Sequence, residues 1–386
     1  MCVNEEECHK DRVAGISCST SHPEQETKMK TVVVGAGYAG MIAANRLARK
    51  MKSAEITVIN PRPDFVERIR LHQQIAETGA AATPLASMLR NGITSRVGVV
   101  DKIGDGTVSI GGKESINFDY AFLAVGSTVL PMQGTVPVGT WEGAEQARVA
   151  FAALPAGSTV TVIGGGPTGI ETAAEVAGAR PDVRVRLVGS SVAGSLSDGA
   201  QRRVHAGLER LKIDIVEDGV TGVSAGAGRF NGVVHLRSGT ELASDLTLWA
   251  IVGGIPDLAA RSGLEVDSEG RAIVDEFLRS VNDERIFVVG DCAAVPGARL
   301  ACQSAAPQGA HAANTLARLV KGRKPRPYSQ TYSVVPLSLG QKDAVLQYTR
   351  PDDTVRRFYI AGRIAAGLNE VGARAAKFAA RTGIGA

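Results

Sequence analysis

The chain has 386 residues, 44% of them hydrophobic and 21% charged, with a formal net charge of +4. This is the composition of an ordinary globular protein of two or three domains, and so small and scattered a charge gives no footing for nucleic acid. No apolar run reaches the roughly 18 residues that span a bilayer, and five cysteines make no disulfide framework in a chain of this length.

Residues 1–28 are polar and lack the apolar core of a signal peptide, so a disordered extension and a reducing cytoplasm are expected. Cys8, His9 and His22 in this tail match no zinc spacing, and no metal site is expected. The first ordered segment is a β-branched run from Thr31 to Val34. It is followed by Gly35, Ala36, Gly37, Tyr38, Ala39 and Gly40, an alanine-rich helical stretch to about Lys52, and a second strand, Glu55–Asn60. This is the strand, Gly-x-Gly-x-x-Gly turn, helix and strand of a dinucleotide-binding unit.

The unit then recurs. Thr159–Ile163 leads into Gly164, Gly166 and Gly169, a helix to about Ala179, and a strand Val183–Val188 that ends at Gly189. Gly35 and Gly164 are separated by 164 − 35 = 129 positions, and Asn60 and Gly189 by 189 − 60 = 129, so the copies align without a gap. In each copy the first two glycines permit a tight turn and close approach to a pyrophosphate, the third lets helix pack on strand, and the helix N-terminus faces the phosphates. One such motif is weak evidence; two in register are strong.

Two further apolar strands are paired in the same way. Asp119–Ser127 ends in Gly126-Ser127, and Asp245–Gly254 ends in a glycine pair. The stretches Val97–Ile116 and Gly219–Arg237, each preceding one of these strands, alternate as β-meanders. Arg285–Ala293 is a buried strand ending in Gly290-Asp291, where an open α/β sheet binds ligands. A helix is predicted over about Ala305–Val320, then a strand and turn over Phe358–Ala366 and a short helix over Asn369–Arg381. Arg374, Lys377 and Arg381 share one face of that last helix and Val371, Ala375 and Phe378 another. The apolar face is expected to pack on the body or in a homodimer, with weak contact to a membrane surface as the alternative.

Taken together, these segments resemble the two-dinucleotide flavoproteins related to glutathione reductase and, within them, the type II NADH:quinone oxidoreductases. The resemblance runs from Lys30 to about Phe378. It implies an α/β fold with two Rossmann-like domains: an FAD-binding domain over 29–130 and 256–325, and an NAD(P)H-binding domain over 131–255. A small C-terminal α+β unit over 326–386 completes it.

By the same resemblance, Asn60 replaces an acidic residue at the adenosine ribose, the main chain of Val100 meets adenine, and Asp291 binds the ribityl chain. Gln303, Pro307 and Gln308 lie in the segment that opens a helix beside the flavin, with Pro307 standing where the family has glutamine. Glu171 lies near the nicotinamide, with a first-turn acid favoured by the helix dipole as the alternative. His72 passes the flavin or is a structural histidine. Gly189 stands where the family usually has a glutamate that repels a 2′-phosphate, so NADH and NADPH are both open, with Ser190 and Ser191 nearby. The family's Cys-x-x-x-x-Cys redox pair is absent, since no cysteine lies between Cys18 and Cys292.

The expected reaction takes hydride from NADH or NADPH to FAD and then electrons to a quinone-like acceptor, with Glu171 and Gln308 tuning it. Another small acceptor, aromatic, protein or oxygen, is the first alternative and a low-turnover redox sensor the second. The expected location is cytoplasmic or peripheral to the membrane.

Overall fold

The computed structural model describes residues 28–226, 228 and 230–385. The expected N-terminal extension, with its cysteines and histidines, lies outside them apart from Lys28.

The first sheet has five parallel strands in the order Ile286–Val288, Tyr120–Leu123, Lys30–Val34, Glu55–Asn60, Ile93–Val97. The second has the order Val136–Pro137, Leu246–Trp249, Thr159–Ile163, Arg184–Gly189, Asp214–Glu217, also all parallel. The duplicated motif therefore heads two sheets of one topology. Helices cover both faces of such sheets, which is why their central strands are apolar throughout rather than alternating; Thr159–Ile163 is buried at every position. Each sheet carries an antiparallel three-stranded meander, within 100–117 and 220–244. Val97, expected in the first meander, ends an edge strand of the parallel sheet instead, because the chain turns at Gly98. The connections between the units meet where Thr128 and Gly254 exchange main-chain hydrogen bonds of 2.7 and 3.2 Å.

The helix expected from Ala305 begins at Cys302 and runs to Leu319, with Pro307 inside it. It crosses the first glycine-loop helix, Tyr38–Lys50, at Gly309, where a Cβ would stand 2.2 Å from the carbonyl oxygen of Ala39.

The C-terminal unit departs from expectation. Its strand is Val355–Ala361, and its helix starts at Arg363 and runs 20 residues to Thr382. Gly362, at φ +85°, ends the strand, so the stretch read as a turn is already helix. Nor does the apolar stripe of this helix pack on the body. Ile364, Leu368, Val371 and Phe378 are 72%, 47%, 63% and 58% exposed. The helix is held instead by its small residues and polar groups. Ala379 and Ala380 are buried, Asn45 donates to the Ala380 carbonyl at 2.6 Å, and Lys377 pairs with buried Glu67 at 2.7 Å. The helical period is the one the sequence predicts, but burial falls on alanines that a hydropathy pattern ranks below leucine and phenylalanine. The three-stranded C-terminal sheet packs through Val335, Leu337, Leu339 and Val345 into the core of the second unit. No helix among the described residues is long and apolar enough to cross a membrane.

Candidate functional site

The two glycine loops are alike at their three motif glycines. Gly35 and Gly164 sit at φ +102° and +134°, backbone that side chains rarely adopt. A Cβ on Gly40 would stand 2.0 Å from the carbonyl oxygen of Gly35, and one on Gly169 1.8 Å from that of Gly164, so each third glycine closes helix onto its own loop. At Gly37 and Gly166, which cap the helices, a Cβ would meet nothing within 4 Å: these positions face open space. Neither helix has an acid in its first turn, and the first-turn N–H groups have no helical partner. Both loops are thus anion cradles, and both fit the pyrophosphate of a dinucleotide.

Around the first loop, Asn60 does not offer its amide outward as expected. Its Oδ1 accepts from Ala36 N (3.1 Å) and its Nδ2 donates to the carbonyls of Arg62 (2.8 Å) and Asp64 (3.3 Å), so it braces the loop from within. Its carbonyl takes the N–H of Gly98 (2.9 Å), which brings the segment leading to buried Val100 to the end of this strand. The Tyr38 ring stacks edge-on to Phe65 and its hydroxyl reaches Glu67 at 3.4 Å, leaving only its main chain to the cradle.

Asp291 follows Gly290, which packs on the first loop: a Cβ there would stand 3.4 Å from that of Ala39. The Asp291 carboxylate accepts from Ser127 Oγ at 2.6 Å and faces Arg68 Nη1 at 3.7 Å. Arg68 in turn donates to the carbonyls of Gly139 (3.1 Å) and Ser127 (3.0 Å), tying three segments together. Ser127 shows in the sequence only as the end of the strand from Asp119, and the one signal for Arg68 is the charged run Glu67–Arg70 just before His72.

Gln308 is fully buried. Its Oε1 accepts from Gly290 N at 2.7 Å, while Nε2 is sealed from solvent without a partner. It therefore holds the Gly290-Asp291 turn through its amide oxygen. Gln303 and Pro307 are half-buried on the same helix, Gln303 accepting from Arg299 at 3.3 Å. His72 is buried and held neutral, pushed down to about 4 by burial and by Arg70.

In the second unit the loop opens on a cavity of about 380 Å³. Gly165, Gly166, Ser190, Arg237 and Trp249 are among the residues that line it. Gly189 has a packing reason beyond the loss of an acid: a Cβ there would stand 2.6 Å from Gly165 N. Ser191, expected beside Ser190, turns its hydroxyl toward Gly194.

Glu171 lies in the second turn of the helix Pro167–Ala179, which removes the first-turn dipole reading. Its Oε1 accepts from Ser338 N of the C-terminal sheet at 3.0 Å. Burial first, with the nearby Glu175 carboxylate, pushes its carboxyl up to about 7 despite that bond. Across the interface, burial and the charges of Asp291 and Glu171 push the Cys302 thiol up to about 11. Glu171 of the second unit, Asp291 and Cys302 of the first, and Ser338 of the C-terminal sheet thus converge between the two cradles. Cys292 is fully buried and likewise raised to about 11, so neither thiol supplies a thiolate near neutral pH.

The model of the family described as pyridine nucleotide-disulphide oxidoreductase matches residues 29–315. A NADH dehydrogenase-like protein of Mycobacterium tuberculosis is 29% identical over 320 residues, covering 73% of this chain and 78% of its own. Two solved structures share the fold at a TM-score of 0.75. One is the sulfide:quinone oxidoreductase of Aquifex aeolicus, 18% identical and covering 92% of each chain. The other is NDH2 of Plasmodium falciparum in complex with NADH, 15% identical over 92% of this chain and 97% of that one.

Proposed function

The chain belongs to the pyridine nucleotide-disulphide oxidoreductase family, as an oxidoreductase using FAD and a nicotinamide dinucleotide, and we propose that its electron acceptor is a quinone. The observation that carries the redox reading is the pair of matched glycine cradles heading two sheets of one topology, with Glu171, Asp291 and Cys302 near enough between them to feel one another's charge. That point is where a nicotinamide reaching in from the second loop would lie against a flavin reaching in from the first. When bound, the cofactors supply the redox chemistry, hydride passing from the reduced nicotinamide to the flavin.

The chain's own part is positioning and charge. The first-turn N–H groups at Gly37 and Gly166 hold the two pyrophosphates. Asp291, fixed by Ser127 and Arg68, offers a carboxylate to the sugar-alcohol chain of FAD. Gln308 sets the turn that places it. Glu171, near half-protonation at neutral pH, can hold or release a proton at its carboxyl beside the reacting rings. The quinone reading is supported by the name of the structural neighbour that reduces one and by the missing redox cysteine pair, which removes the dithiol route.

The exposed C-terminal stripe favours peripheral contact with an anionic membrane, where quinones dissolve. Arg363 and Arg381, on the same helix beside the stripe, have no ion pair among the described residues. The purified protein should be yellow. NADH or NADPH should bleach it without oxygen, and menadione should restore the colour faster than ferricyanide or air. A colourless chain that cannot be reconstituted with FAD refutes the whole reading, and restoration by air alone refutes the acceptor. Leu368→Glu should abolish co-sedimentation with phosphatidylglycerol vesicles while leaving the bleaching intact.

A further inference from the structure

The cavity beside the second glycine loop holds a cation that no loop motif contains. Arg237 follows the meander strand Gly232–Leu236, and its side chain lines the same cavity as Gly165, Gly166 and Ser190. Its N–H donates to the Gly219 carbonyl at 2.8 Å. Gly219 also gives the guanidinium room, since a Cβ there would stand 2.8, 3.0 and 3.2 Å from its Nη2, Cζ and Nε.

The acids nearby are already engaged. Asp218 lines the same cavity; its carboxylate accepts from Gly219 N at 2.7 Å and Ser238 N at 3.1 Å, and those bonds first, with the Arg237 charge, hold it below the usual carboxylate range, though no ion pair with Arg237 forms within 4.0 Å. Glu217 accepts from Val192 N at 2.9 Å. The end of the strand Arg184–Gly189, from which an acid would reach a ribose, carries no side chain, and Ser190 beside it presents a hydroxyl to the cavity.

We propose that Arg237 and Ser190 form a pocket for the 2′-phosphate of NADPH and make the protein selective for NADPH over NADH. This rests on the second cradle being the nicotinamide-nucleotide site. A guanidinium suits a phosphate dianion because its fork of N–H donors matches the oxygens in a charge-assisted pair, and no acid from position 189 opposes it. Because Arg237 is exposed, the pair weakens with salt.

The test is calorimetric titration of the full-length protein with adenosine 2′,5′-bisphosphate and with 5′-AMP at low salt, probes that differ by the one phosphate. The bisphosphate should bind about tenfold or more tightly, the margin of one charge-assisted pair. Arg237→Leu should remove that margin and leave 5′-AMP unchanged, and Arg237→Lys should keep part of it. Equal affinities in the wild-type protein overturn the selectivity while leaving the nucleotide site standing. Equal losses for both probes in Arg237→Leu overturn the phosphate contact in favour of one to the adenine. Binding of neither probe overturns both this assignment and the site on which it rests.

Discussion

Replacing Glu171 by glutamine isolates the cost of holding a carboxylate between the two cradles. The amide oxygen keeps the bond from Ser338 N and removes only the charge. Burial and Glu175 raise the Glu171 carboxyl from 4.5 to about 7. The folded chain therefore binds this proton more tightly than the unfolded chain, and its stability falls as pH rises from about 4.5 to 7. The shift is 7 − 4.5 = 2.5, which at about 1.4 kcal/mol per pH step gives about 3 kcal/mol, reduced to about 2 by water in the cleft. Glu171→Gln should exceed the wild type in urea by less than about 1 kcal/mol at pH 5 and by about 2 kcal/mol at pH 8. With a urea slope of about 3 kcal/mol per molar, that moves the midpoint by somewhat less than ~1 M. A difference independent of pH between 5 and 8 refutes the reasoning, because it would mean that Glu171 ionises as an ordinary surface acid. Glu175→Gln, by removing a like charge, should move the wild-type transition to lower pH.

Thr161 is fully buried in the second sheet with its hydroxyl unpartnered, opposite Thr247 in the same state. Thr161→Val should therefore raise stability by about 1 kcal/mol, read as a higher urea midpoint. Gly309→Ala would force a methyl to 2.2 Å from the Ala39 carbonyl oxygen. It should lower stability by about 1–3 kcal/mol and reduce the FAD retained after gel filtration, because it parts the two helices that frame the first loop.

The duplication was legible because the constraints behind it are local. A positive φ at Gly35 and Gly164, and the close approach at Gly40 and Gly169, leave glycine as the residue that fits, so the spacing shows in the letters. What escaped depends on distance along the chain. Arg237 lies 237 − 189 = 48 residues beyond Gly189 and enters the cavity from a meander whose fold no motif encodes. Arg68 gains its role from Asp291, Ser127 and Gly139, none of them neighbours in sequence. The amides of Asn60 and Gln308 turn inward to hold main chain, and which way an amide turns is decided by packing rather than by the motif that carries it. The C-terminal helix shows the same limit: its period is in the sequence, but which side finds a partner is not.

The attachment of that helix bears on how the protein comes into being. Asn45, in the first glycine-loop helix, meets Ala380 across 335 positions, Lys377 meets Glu67 across 310, and Gly383 lies against the main chain of Arg46. On a ribosome, the unit made first thus stays without this wall until residues 377–383 have left the exit tunnel. Closing so long a loop carries a large entropic penalty before any contact rewards it. Flavin captured earlier would be held in an unfinished cradle, so docking of the helix Arg363–Thr382 is the step that seals it.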